Sequence, residues 1–171
     1  MDQESFRDFI ERSSAALLRS AWYLTLDDQH AEDLLQTALV KTWRRWPQLV
    51  DDDRSAEAYV RKAMVNTATS WRRRKWTSEI PTSSLPDRPL PGEAVDDGED
   101  ALRMLALLPP RQHAAIYLRY MEDLSERETA LIMGCSVGTV KSQVSRALTT
   151  LRRSPLIEDA TAHASRRTRH A

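Results

Sequence analysis

The sequence predicts an all-α chain of two small helical domains joined by a flexible, acidic, proline-rich linker. Three observations predict it. Apolar residues recur at three- and four-residue spacing on both sides of residues 77–98. Residues 77–98 themselves, TSEIPTSSLPDRPLPGEAVDDG, hold four of the eight prolines and offer little to bury. Within 124–153, a helix start, a helix stop and a second helix start fall inside a dozen residues, which is a helix-turn-helix signature. These features divide the chain into a first domain over 1–76, a linker over 77–98, a second domain over 99–153 and a disordered tail over 154–171.

The first helix is expected over 4–24, where Phe6, Phe9, Ile10, Ser13, Leu17 and Ala21 share a face. Asp27 or Asp28 can cap a second helix over 29–45, with Ala31, Leu34, Leu35, Ala38, Leu39, Thr42 and Trp46 buried. Its other face carries Asp33, Gln36, Thr37, Val40 and Arg44, a strip that reads as solvated surface or as a dock for a partner's helix. Pro47 ends this helix, and Ser55 caps a third that reaches Trp76. In the third helix Ala56, Val60, Ala63, Met64, Thr67 and Trp71 face inward, and Tyr59, Lys62, Asn66, Thr69, Arg73 and Trp76 line the other side. It closes on WRRRKW, four consecutive cations between two tryptophans. Cations there complement the helix dipole, and rings interleaved with cations also suit unstacked bases.

Beyond the linker, Leu102, Leu105 and Leu108 resume the helical pattern and Pro109 and Pro110 break it. Ala114, Ile116, Tyr117 and Tyr120 then mark a short helix. Ser125 stands three residues before Glu128, so hydroxyl and carboxylate can cap each other's backbone N–H groups. Gly134 can adopt the left-handed conformation that closes this helix, and Ser136 offers a new N-cap after Cys135. In the last helix Val140, Val144, Ala147, Leu148 and Leu151 form an apolar stripe, opposite Lys141, Ser142, Ser145, Arg146, Thr149 and Arg152. Residues 138–153 hold four basic side chains and no acidic one, which suits a helix entering a groove walled by phosphates.

Composition narrows the function. Twenty-five basic and twenty-five acidic residues cancel, but in blocks: about −5 over 1–53, +6 over 54–76, −6 over 77–100, near neutrality over 101–137 and +4 over 138–153. Two basic surfaces are thus expected to be held apart by an acidic tether. A lone cysteine, Cys135, allows no internal disulfide, and without clustered His or Cys it builds no zinc site. No apolar run is long enough to span a bilayer and the first residues are acidic, so a cytoplasmic location with no membrane partner is expected. With four scattered histidines and four glycines, no nucleophile and base stand at motif spacing. No catalytic residue, metal or cofactor is expected.

Taken in order, AEDLLQTALVKTW, AYVRKAMVNTATSWRRR and LPPRQHAAIYLRYMEDLSERETALIMGCSVGTVKSQVSRAL resemble the extracytoplasmic-function (ECF) sigma factors of the sigma-70 family, in particular the short actinobacterial SigE-like branch. The resemblance implies a non-enzymatic subunit that lends promoter recognition to core RNA polymerase. It assigns docking on the polymerase clamp helices to Asp33, Gln36, Thr37 and Val40. It assigns the minus-10 element to Arg61, Lys62, Asn66, Arg72 and Arg73, with Asn66 reading a base and the cations on the backbone, and a flipped-base pocket near the loop from Pro47 to Ser55. Lys141, Ser142, Ser145 and Arg146 would take the minus-35 duplex, the second domain would also bind the beta-subunit flap, and an anti-sigma factor would be a regulatory partner.

From the residues alone, other readings stay open. An autonomous helix-turn-helix regulator would dimerise on paired half-sites. A protein-interaction module would co-purify with an inhibitory partner and not with polymerase. A nucleic-acid enzyme would have to use Asp51, Asp52 and Asp53, three adjacent carboxylates, which read better as a solvated loop.

Overall fold

The computed structural model describes residues 3–78 and 96–153, with side chains at 53, 76–78 and 96–101 left aside. Most of the linker, the whole tail and the side chain of Trp76 therefore lie outside the described residues. Seven α-helices are described: α1 (Gln3–Thr25), α2 (Asp28–Trp43), α3 (Asp53–Ser78), α4 (Asp96–Leu107), α5 (Pro110–Ile116), α6 (Glu126–Met133) and α7 (Val137–Arg152). A 3-10 turn, Trp46–Gln48, follows α2, and a π-turn, Tyr117–Met121, follows α5. Among the described residues there is no strand.

Helices α1, α2 and α3 pack on one another around Phe9, Leu17, Ala21, Leu34, Ala38, Val60 and Met64. Asp27 is the N-cap of α2, its carboxylate accepting from the His30 N–H at 2.8 Å. That hydrogen bond holds the Asp27 carboxyl below its usual range. Helix α2 stops at Trp43, before Pro47, so that Trp46 can turn inward: its ring lies 4.9 Å from Phe6 and 5.2 Å from Phe9, and its indole N–H donates to Ser5 Oγ at 2.9 Å. Helix α3 starts three residues earlier than expected, because Asp52 and not Ser55 accepts from its first turn. The Arg54 N–H donates to Asp52 at 3.0 Å and the Ser55 hydroxyl at 2.6 Å. Across the bundle, Lys41 Nζ donates to Thr67 Oγ1 at 2.8 Å.

In the second domain the capping box forms as the sequence indicates. The Glu128 N–H donates to Ser125 Oγ at 3.1 Å, and the Ser125 N–H to the Glu128 carboxylate at 2.7 Å. Gly134 adopts φ 64° and ψ 40°, ending α6, and Ser136 caps α7 by accepting from the Thr139 N–H at 3.1 Å. The short helix before it ends differently from the expected pattern. It widens into the π-turn, where the Glu122 N–H reaches the Tyr117 oxygen at 3.1 Å; Tyr117 and Leu118 are buried while Tyr120 is left 62% exposed.

The two domains are not held apart. α5 and α6 lie against α3, and Val65 and Ala68 of α3, which the inward face did not include, are buried at 2% and 3% exposure. The acidic tether keeps the domains covalently joined, but apolar side chains and a few polar ties bring them together.

Candidate nucleic-acid interface

Three surfaces carry the residues singled out in the sequence. Asp33, Gln36 and Val40 of α2 and Arg44 just past its end are exposed and Thr37 is half-buried, while Ala31, Leu34, Leu35, Ala38 and Thr42 point into the bundle. Val40 is 55% exposed, an unusual position for an apolar residue between polar neighbours. The two edges of the helix are thus sorted as 3.6-residue periodicity requires.

On α7, Lys141, Ser142, Ser145, Arg146, Thr149 and Arg152 are all exposed, and Val140 and Ala147 are fully buried beneath them. The left-handed turn at Gly134 sets the angle between α6 and α7, and the Ser136 cap begins α7 immediately after it. Lys141 Nζ stands 3.7 Å from the Glu126 carboxylate, an exposed ion pair that a phosphate can replace at little cost. Arg146 projects from the middle of the face. The arrangement can insert one helix into a duplex major groove, hydroxyls and cations foremost.

On α3 the candidate minus-10 residues divide into two neighbouring stripes. Lys62, Asn66 and Arg73 are exposed, and Asn66 and Arg73 line a narrow crevice with Val65, Thr69 and, from the second domain, Arg111 and Met133. Arg61 and Arg72 lie on the adjacent stripe, half-buried and turned toward the second domain. Arg61 Nε stands 3.4 Å from the Glu122 carboxylate, and an Arg72 guanidinium nitrogen donates to the Leu108 oxygen at 3.3 Å. Burial holds the Arg72 pKa down to about 10. The loop after α2 leaves Asp51 and Asp52 exposed and Leu49 and Val50 half-buried, and Trp71 packs half-buried against the core. Among the described residues no grouping of His, Cys, Asp and Glu could hold a metal ion, and no helix is long and apolar enough to cross a membrane.

Sequence reasoning missed the residues that join the domains. His113 is fully buried, with Nδ1 3.1 Å from the Leu105 oxygen and Nε2 2.8 Å from the Tyr23 oxygen. Burial, and then the nearby Arg72 charge, hold its pKa down to about 3, so the ring is neutral. Glu122 gathers three partners: it accepts from Ser20 Oγ at 2.9 Å and from the Tyr117 hydroxyl, and it faces Arg61. Burial, followed by that bond, raises the Tyr117 pKa. Only an apolar neighbourhood in the helical pattern hinted at His113, and nothing in the sequence marked Glu122.

The family described as Sigma-70 region 2 matches residues 9–77, and that described as Sigma-70, region 4 matches residues 98–151. The RNA polymerase sigma-E factor of Streptomyces coelicolor is 42% identical over 164 residues, covering 95% of this chain and 92% of that protein. The sigma-E factor of Streptomyces avermitilis is 44% identical over 149 residues, covering 86% and 83%. Among solved structures, the sigma factor RpoE of Bartonella quintana in complex with the anti-sigma factor NepR is similar, with a TM-score of 0.67, 27% identity, and coverage of 90% of this chain and 96% of that one. Two matched regions in the right order, a capped helix-turn-helix with an open basic face, and relatives alike over nearly their whole length lead to one conclusion: this chain belongs to the sigma-70 family, as an ECF sigma factor.

Proposed function

We propose that this chain directs core RNA polymerase to its promoters through three separate surfaces. Asp33, Gln36, Thr37 and Val40 on α2 dock on the polymerase clamp helices. Asn66 reads a minus-10 base, with Arg61, Lys62, Arg72 and Arg73 on the phosphates. Lys141, Ser142, Ser145 and Arg146 on α7 engage the minus-35 duplex, while the second domain also contacts the beta flap. The protein works in the cytoplasm, where polymerase and DNA are, and an anti-sigma factor is its fitting regulatory partner. The chain supplies no chemistry: stacking and phosphate neutralisation offset the cost of opening the duplex.

The observation that carries this reading is the exposed Lys141, Ser142, Ser145 and Arg146 face of α7, presented on a helix-turn-helix whose caps are all in place. Run-off transcription with core polymerase and a promoter library tests it. Transcripts from a defined subset of promoters, dependent on the added chain, are the expected result. A core enzyme indifferent to the chain would overturn the reading.

A further inference from the structure

Arg73 of α3 and Arg111 of α5 line one crevice, together with Val65, Asn66 and Thr69 of α3 and Met133 of α6. The surrounding chain offers these two cations little counter-charge. Residues 58–76 and 102–121 contain no Asp or Glu. The two glutamates of α6 are engaged elsewhere, Glu126 facing Lys141 at 3.7 Å and Glu128 accepting from the Ser125 N–H at 2.7 Å. Arg111 is half-buried, and among the described residues its guanidinium makes no hydrogen bond and no ion pair. Half-burial weakens the hydration of a cation, and a second cation lining the same crevice raises the positive potential there.

We propose that this crevice is a binding site for a small free oxyanion, inorganic phosphate, held between Arg73 and Arg111. A guanidinium can give a tetrahedral oxyanion two parallel N–H donors, so the two residues can grip it from α3 and from α5. The Asn66 amide and the Thr69 hydroxyl supply neutral donors beside them. Val65 and Met133 are buried and apolar, and they lower the local dielectric, which strengthens the attraction. The crevice volume is about 50 Å³, several times what one water needs, so an oxyanion of this size fits. Arg73 is exposed at the mouth, where exchanging one oxygen partner for another costs little. The site itself does not depend on promoter recognition. Its consequence does rest on the reading of α3 given under Proposed function: phosphate on Arg73 competes with the DNA backbone for that residue. A backbone phosphate has the same chemistry as the free ion, and the experiment separates the two sources.

The full-length parent, Arg111→Gln and Arg111→Lys are melted in about 10 mM inorganic phosphate and in chloride of equal ionic strength. For a dissociation constant of about 1 mM, phosphate should raise the parent's midpoint by about 3 °C over chloride. Arg111→Gln should lose most of that rise, and Arg111→Lys should keep part of it, because the charge stays and the fork is lost. Phosphate also stabilises proteins by exclusion from their surface, so the readout is the difference between parent and Arg111→Gln. The phosphorus NMR line of phosphate should broaden with the parent and stay narrow with Arg111→Gln. An equal rise in both chains, or none in either, overturns the site. It is equally overturned if phosphate moves neither chain while mixed-sequence single-stranded DNA binds Arg111→Gln more weakly than the parent, since Arg111 then serves the DNA backbone. Run-off transcription by the parent in chloride buffer decides the promoter function separately, whatever phosphate does.

Discussion

The Nε2 of His113 lies 2.8 Å from the main-chain oxygen of Tyr23, a tie across 90 residues of sequence that fastens α5 to the end of α1. Below pH 6.5 its ring stays neutral because burial, and then the nearby Arg72 charge, hold its pKa down. Exposed, it would titrate near 6.5; enclosed, it titrates near 3. Below pH 6.5 the unfolded chain therefore binds a proton that the folded chain refuses, and stability falls as pH drops from 6.5 toward 3. By pH 5 the loss amounts to about 2 kcal/mol. Asp27, Asp52 and Glu128, held low by hydrogen bonds from His30, Ser55 and Ser125, lose their contributions only below about pH 4, so the window from 5 to 6.5 isolates His113. Urea titrations at pH 7 and pH 5 should show this drop in the parent and a much flatter response in His113→Gln.

The helix-turn-helix depends on two local devices that can be removed separately. Ser125→Ala deletes the hydroxyl that satisfies the Glu128 N–H and should lower the stability of the second domain by about 1 kcal/mol. Gly134→Ala meets no atom within 4 Å of the added Cβ, so its cost is the backbone strain of φ 64° alone, about 1 kcal/mol. Urea midpoints of the full chain should move down in both cases. A neutral Gly134→Ala would mean that the turn relaxes out of the left-handed region.

These devices were legible in the sequence because they are local: a hydroxyl, a carboxylate three residues on and a glycine stop are written next to one another. The same holds for the α7 faces, where Val140 and Ala147 are buried and Lys141 and Arg146 exposed. The domain contact was not legible. Val65 and Ala68 lie beside the inward face of α3, and periodicity alone cannot say that a second apolar surface will cover them. Glu122 and Ser20 are 102 residues apart and meet only because α5 turns through a π-bend. Start and stop positions moved for equally specific reasons, as Asp52 displaced Ser55 at the head of α3 and Trp46 turned into the core after α2.

On α7, Lys141 and Arg146 are expected to touch phosphates or base edges from an exposed helix face. Replacing Arg146 by Ala should weaken minus-35 duplex binding and reduce the slope of log K against log salt by about 1 if it holds a phosphate. If instead it reads a base, the slope stays and discrimination among promoter sequences falls. Filter binding of the holoenzyme at several salt concentrations separates the two. Ser142→Ala and Ser145→Ala, which carry no charge, should leave the slope unchanged.

Asn66 is exposed at the mouth of the crevice on α3 and supports no part of the core. Asn66→Ala should therefore leave the unfolding midpoint within about 0.5 kcal/mol of the parent. It should lower open-complex formation on cognate promoters while leaving binding to core polymerase intact. Permanganate footprinting of the minus-10 region, alongside co-elution with core enzyme, reads both. Loss of core binding would reassign Asn66 to a structural role.

Val40 supplies the most direct check of the polymerase dock. More than half exposed on α2, it is flanked by Gln36 and Thr37 one turn away and backed by the buried Ala38. Val40→Asp consequently removes no core contact and should barely change folding stability, whereas Leu34→Asp, with Leu34 fully enclosed, should unfold the first domain. On docking, a valine that becomes fully buried contributes about 1.5 kcal/mol or more, and an aspartate in its place adds the cost of burying a charge. Affinity for core polymerase should thus fall by at least about tenfold. The discriminating measurement is a competition for core enzyme between parent and Val40→Asp, with circular dichroism melts of both. An unaltered competition curve would move the polymerase contact off this strip of α2 and leave Val40 as ordinary exposed surface.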